Sequence, residues 1–180
     1  ISLDQRLIKI LIYLMKRKAK LLQVLELGNS VLRNKAKTVS NIKSKEIQNL
    51  IDGMIATVMD VDGVGIAAPQ VYESLQIFIM ASHPNPRYPT APEMEPTAII
   101  NPKILRFSKT KEKAWEGCLS IPGLRGFVLS SKKVTAEYFT RQGKKVKAEF
   151  SDFLARIFQH EFDHLQGVMF IDRVESSLDL

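Results

Sequence analysis

The chain has little of what would staple it covalently or thread it through a bilayer. Its 180 residues include one cysteine, Cys118, so no internal disulfide can form and a reducing compartment fits best. No apolar run reaches the roughly 18 residues that a membrane-spanning helix needs. The longest candidate, residues 7–15, is interrupted by Lys9 and followed by Lys16, Arg17 and Lys18. Those charges lie mainly on the wrong side of the apolar stretch for a secretory leader, and no small-residue cleavage site follows. An amphipathic surface or targeting helix is compatible with the same residues. Histidine is also scarce, with three in the whole chain.

Acidic residues are outnumbered, which raises the question of a nucleic-acid partner. The net charge is +7, but residues 1–20 hold six basic side chains against Asp4, which places +5 there and leaves +2 on the other 160. The body is therefore nearly neutral, and specific nucleic-acid recognition is not expected of it. Residues 1–20 read as a basic extension with helical periodicity, and Met15 is a candidate translation start. Residues 21–180 read as one domain, long enough to bury a core.

What is present is strongly patterned. Ile47, Leu50, Ile51, Met54, Ile55, Val58 and Met59 recur at three and four residues, which predicts a core helix with Ser44 as its cap and Gly63 just beyond its end. The run 75–81 is of strand length. Five of the eight prolines fall in residues 83–97, a loop in which His83 reads as a solvated residue. Residues 98–107 and 132–139 read as strands, and 144–150 pairs with the latter across a turn at Arg141, Gln142 and Gly143. Residues 24–27 and 31–33 read as short extended pieces about Gly28. The order of elements predicts an α+β fold whose largely antiparallel sheets wrap a C-terminal helix.

That helix, at 151–166 with Ser151 as its cap, carries the chemistry. His160 and His164 stand four residues apart, so both imidazoles can grip one metal ion, and Glu161 falls between them. On a helical wheel Phe153, Leu154, Ile157, Phe158, Glu161, His164 and Leu165 occupy the apolar half, with His160 at its edge. Asp152, Arg156, Gln159, Asp163 and Gln166 take the other half. A carboxylate on a buried face is costly unless a cation or a reaction employs it.

A catalytic metal of this kind usually takes three protein ligands and keeps an open position. Downstream, Asp172, Glu175 and Asp179 are the acidic choices for the third. Upstream, Cys118 in WEGCLSIPG offers a thiolate on a tight loop or strand end. The downstream choice describes a peptidase cutting internal bonds. A nucleic-acid or ribosome-binding module with a structural metal would need a fourth ligand, for which no convincing residue stands out. The glycines of GVGIAAPQ at 63–70 lack both a third glycine in register and a lysine, which argues against a phosphate loop. They suit close passage of an extended peptide instead.

Taken together, GVGIAAPQ at 63–70, EGCLS at 116–120 and QHEFDH at 159–164 resemble the three motifs of the peptide deformylases, in the family's order and across nearly the whole chain after the basic start. The resemblance implies that Cys118, His160 and His164 bind one divalent metal, natively iron(II) in the iron-dependent type, with zinc, nickel or cobalt as substitutes. It implies Glu161 as general acid/base. The side-chain amide of Gln70 and the backbone N–H of Leu119 would donate to the developing oxyanion. The implied reaction is removal of the formyl group from the N-terminal methionine of new polypeptides, releasing formate. Val64, Gly65, Trp115, Gly117, Arg125 and Ile157 are implied along the methionine pocket or the peptide path, although Trp115 and Ile157 equally suit a core and Arg125 a surface. A transient ribosome contact and a cytoplasmic location are implied too. Trp115 looks more like plant or organelle-type members, which keeps plastid and mitochondrion open.

Overall fold

The computed structural model describes residues 19–180; the basic helix expected at the start of the chain falls almost wholly outside them. Seven strands are described: β1 (Gly65–Ala67), β2 (Ile77–Met80), β3 (Thr97–Phe107), β4 (Lys111–Cys118), β5 (Ile121–Ser131), β6 (Lys133–Phe139) and β7 (Lys145–Ser151). Two α-helices accompany them, α1 (Lys45–Asp60) and α2 (Asp152–Leu165). Five strands form an antiparallel sheet in the order β1-β2-β3-β6-β7, while β4 and β5 make a separate antiparallel hairpin. The expected α+β architecture is the one observed.

β2 explains how the layers stack. All four of its residues are buried, yet they alternate: Ile77 and Ile79 join Ile51, Met54 and Val58 of α1, while Phe78 and Met80 join Ala155, Phe158 and Leu165 of α2. A strand covered on both faces reads as an uninterrupted apolar run even though its side chains still point to opposite sides. The sheet thus separates α1 from α2. Phe78 meets Phe158 edge-on at 5.2 Å between ring centroids, and Phe150 stacks on Phe158 at 5.0 Å. Phe78 and Phe158, both fully buried, each contribute roughly 1.5–3 kcal/mol of apolar transfer free energy.

α1 begins where expected, with the Ser44 hydroxyl accepting from the Ile47 N–H at 3.3 Å. α2 starts differently. Ser151 occupies the capping position, but its side chain makes no capping bond. Ser151 is also the last residue of β7, so its backbone is committed to the sheet. Asp152 turns the chain into the helix with φ +52, and its N–H donates to the Lys132 carbonyl at 2.7 Å. The turn at Arg141, Gln142 and Gly143 is present, with Gly143 at φ +78.

Three further readings of the sequence are corrected. Ser30–Arg33 is a 3-10 turn instead of an extended piece, because the Asn29 side chain accepts from the Val31 N–H at 3.0 Å and starts the coil. The half of α2 that holds Arg156 and Gln159 is not simply a solvent face. The β4–β5 hairpin lies against it, Gln159 bonds both backbone groups of Ser131, and Arg156 is 8% exposed. His83 is not freely solvated either: its ring bonds the Ala81 carbonyl at 2.7 Å and the Asp62 carboxylate at 2.8 Å. No described helix is long and apolar enough to cross a membrane.

Candidate metal centre and catalytic cleft

The hairpin brings Cys118 to α2. β4 and β5 pair regularly from Lys111 opposite Ser131 to Gly117 opposite Arg125, and then the register shifts so that Cys118 faces Ile121. An irregularity of this kind re-aims a side chain at the end of a ladder. Here the Cys118 sulfur comes to lie 3.3 Å from His164 Nε2. One donor atom each from Cys118, His160 and His164 lie within 4.8 Å of one another. The downstream alternatives for a third ligand are engaged elsewhere. Asp172 pairs with Arg33 and accepts from the Met169 N–H, and Glu175 and Asp179 each hold Lys113 at 3.0 Å.

The thiol and the imidazoles of the trio are strongly coupled. Burial would raise the Cys118 thiol, but His164 and His160 beside it pull it well below its ordinary range. Burial would depress His160, yet its bonds to Cys118 and Glu116 hold it well above. Burial pushes the Glu161 carboxyl up to about 7, and the two histidines only partly offset that. Among the described residues, the buried side-chain atoms with no hydrogen-bond partner are Glu161 Oε2 and His164 Nδ1, both in this cluster. A soft thiolate with two imidazoles is a donor set suited to borderline divalent metals. The residues present therefore fit the metal that the motifs imply.

Glu161 owes its seat to a glycine. A Cβ built on Gly65 would stand 2.4 Å from Glu161 Oε1 and 2.9 Å from its Cδ. β1 thus passes so close to α2 that only hydrogen fits between backbone and carboxylate. Gln70 is held just as firmly: its Oε1 accepts from the Ala67 N–H at 2.8 Å. That contact fixes which end of the amide is nitrogen, and Nε2 donates to Ser120 Oγ at 3.0 Å and lies 3.4 Å from the Cys118 sulfur.

These groups border one cleft of about 540 Å³, its open mouth included. Of the residues expected there, Val64, Gly65, Gln70, Gly117, Cys118, Leu119, Ile157, His160 and Glu161 line it; His164 sits just behind, and Trp115 and Arg125 are outside. Trp115 is 46% exposed and leans on Phe127 at 5.3 Å, which excludes the core reading. Ile157 is buried and lines the cleft. Arg125 reaches back over the ring of Tyr88 at 5.5 Å.

Sequence reasoning missed Tyr88, Phe153, Glu116 and Arg156 as parts of the site. Tyr88 belongs to the proline-rich loop and packs on Phe153 at 4.9 Å, closing one wall of the cleft. Its only advance signal was an aromatic residue among prolines. Glu116 belongs to EGCLS, but nothing in that stretch shows that its side chain faces α2.

The family comparison decides what kind of protein carries this arrangement. Residues 21–179 match the family model described as polypeptide deformylase. The chain belongs to the polypeptide deformylase family. It is 58% identical over 159 residues to peptide deformylase 2 of Nostoc sp., covering 88% of this chain and 89% of that protein. It is 43% identical to peptide deformylase 2 of Shewanella oneidensis, covering 84% and 83% respectively. Among solved structures, it resembles the class I type b peptide deformylase of Acinetobacter baumannii bound to Met-Ala-Ser, with a TM-score of 0.84 and 46% identity over 87% of this chain and 99% of that one. The peptide deformylase of Synechococcus elongatus in complex with actinonin gives a TM-score of 0.78 and 39% identity over 88% and 81%. Hydrolase chemistry and metal dependence come with the family, and the Cys118, His160 and His164 cluster is where this chain has the matching donors.

Proposed function

We propose that this member removes the formyl group from the N-terminal methionine of newly made polypeptides, with each step assigned to a named residue. Cys118, His160 and His164 hold one divalent cation, iron(II) in the native protein, with zinc, nickel or cobalt able to substitute. Such a cation would supply Lewis acidity and make hydroxide available near neutral pH. The single observation that carries the reading is the Glu161 carboxyl, buried beside those three donors and seated against Gly65.

A carboxyl placed there is within reach of both the attacking water and the departing amine, as a general acid/base must be. Glu161 takes the proton of the attacking water, holds it while the formyl carbon is tetrahedral, and delivers it to the amine as the C–N bond breaks. The products are formate and a free methionyl amine. Gln70 Nε2 and the Leu119 N–H donate to the formyl oxygen as charge develops on it. Because the Ala67 N–H already holds the Gln70 amide, little reorganisation accompanies the reaction. Each such donor is commonly worth about 3–4 kcal/mol in the transition state.

The methionine side chain enters against Val64, Tyr88, Phe153 and Ile157, an apolar wall suited to an unbranched thioether. The backbone at Gly65 and Gly117 pairs with the extended peptide. Trp115 and Arg125, on the outer rim, meet residues further along it. The Met-Ala-Ser bound to the Acinetobacter baumannii protein supports a peptide that begins with methionine. We assign residues 1–20 to a basic extension and 21–180 to one catalytic domain that contacts the ribosome transiently, in the cytoplasm or, in a eukaryote, in a plastid or mitochondrion.

The test is formate release from a formyl-methionyl peptide by anaerobically prepared, iron- or nickel-loaded protein. Glu161→Ala and an internally cleavable peptide are the controls. Formate from the wild type alone, without internal cleavage, is expected. Full metal occupancy without formate would refute the assignment.

A further inference from the structure

Arg156 is the unexpected buried charge of α2. Its side chain is 10% exposed, and every polar contact it makes leads to the hairpin. Nη1 donates to Glu116 Oε1 at 2.7 Å, the Val128 carbonyl at 2.9 Å and Ser130 Oγ at 3.2 Å, while Nη2 donates to the Glu112 carbonyl at 2.7 Å. Glu116 is equally buried, and its second oxygen, Oε2, accepts from His160 Nδ1 at 2.8 Å. Arg156 and His160 are one helical turn apart, so two residues of α2 grip the two oxygens of one carboxylate on β4.

We propose that Arg156 is a positioning residue for the metal centre, acting through Glu116 on His160. The inference rests on the reading that Cys118, His160 and His164 hold a cation. With Arg156 in place, Oε1 is locked against the hairpin, so Oε2 has one orientation and one partner. His160 is thereby held with its proton on Nδ1, which leaves Nε2 free to face Cys118 and His164. Without Arg156, Oε1 keeps only the Ser130 hydroxyl, the carboxylate is free to swing, and the imidazole loses its fixed ring plane. Partners behind a metal-binding histidine typically matter about 10- to 100-fold in metal affinity.

The same contacts would also exist if Arg156 merely tied the hairpin to the helix, so the experiment separates affinity from folding. Nickel or cobalt affinity is measured on the full chain by competition with a chromophoric chelator, together with the visible spectrum of the cobalt form. Arg156→Met and Glu116→Gln should each weaken binding by about 10- to 100-fold. In the double variant the loss should be no greater than for Glu116→Gln alone, because Arg156 then has no carboxylate to lock. Wild-type affinity and spectrum in folded Arg156→Met, or losses that simply multiply in the double variant, would overturn the proposal. Should Arg156→Met fail to fold, Arg156→Lys is compared with and without Glu116→Gln. A loss only when Glu116 is present supports the relay; no loss, or an equal loss in both backgrounds, overturns it. Failure of the wild type to bind any metal would show instead that the metal reading itself is wrong, before any variant is considered.

Discussion

Replacing Gly65 by alanine should damage catalysis while sparing the fold. The new Cβ would lie 2.4 Å from Glu161 Oε1, 2.9 Å from Cδ and 3.0 Å from Cγ, so the carboxylate must retreat by roughly 0.6–1 Å to reach tolerable contact. The backbone at Gly65 is part of β1 and does not have positive φ, so alanine itself is permitted there. It lowers the entropy of the unfolded chain by an amount worth about 0.4–1 kcal/mol, which offsets part of the crowding. A reacting group displaced by about 1 Å commonly costs about 100-fold in rate, or about 2.7 kcal/mol of barrier. The assay is formate release under saturating peptide, with metal content and melting temperature measured on the same sample. Expected are kcat down about 100-fold, metal content unchanged, and a melting temperature within about 4 °C of wild type. A kcat within threefold of wild type would refute the idea that Gly65 exists to seat Glu161. A melting temperature lower by more than about 10 °C would show that the fold, not the carboxylate, absorbs the clash.

Other perturbations probe separate layers. Phe78→Ala removes a fully buried ring between β2 and α2 and should cost about 3–5 kcal/mol in urea unfolding; a cost below about 1 kcal/mol would mean that the α2 face is not tightly packed. Tyr88→Ala should raise KM for a formyl-methionyl peptide by about 2- to 10-fold with little change in kcat, while Tyr88→Phe keeps the contact with Phe153 and behaves like wild type. A fall in kcat alone would place Tyr88 in the chemistry instead. The hydrogen bond to Asp62 raises His83 above its ordinary value despite partial burial. Its contribution to stability is therefore complete below the unfolded pKa of about 6.5 and lost as pH rises through the folded pKa. Because Asp62 is largely exposed, the effect should stay under about 1 kcal/mol; His83→Gln should flatten the pH dependence of melting above about pH 6.5, and an unchanged slope would exclude this pair as its source.

The legible parts of this protein were those in which a local pattern and its tertiary setting agree. The three-and-four spacing of α1, the strand at Ile77–Met80 and the histidine pair of α2 are written in consecutive residues. The α2 wheel correctly placed Glu161 and His164 inward, because the sheet covers that side. It failed for Arg156, since a second layer, the β4–β5 hairpin, covers the half that a two-sided wheel assigns to water. The hairpin itself was hidden: Lys111, Lys113 and Arg125 interrupt the alternation, and several of its side chains stay exposed. Gly65 was read as room for a peptide, and no sequence pattern could show that Glu161, almost a hundred positions later, presses against it. His83 looked solvated for the same reason, because its partner Asp62 lies on the far side of the GVGIAAPQ segment.

The spacing of the cluster also sets an order of events during synthesis. Cys118 and His164 are 46 residues apart, and the last donor cannot take its place until α2 has formed against the hairpin. At about 5–20 residues per second, the interval between making the cysteine and making the second histidine is on the order of 2–9 s. During those seconds Cys118 lacks the imidazoles that hold its thiol well below its ordinary range, so it behaves as an unactivated side chain. The thiolate and the two imidazoles beside it thus come into being together.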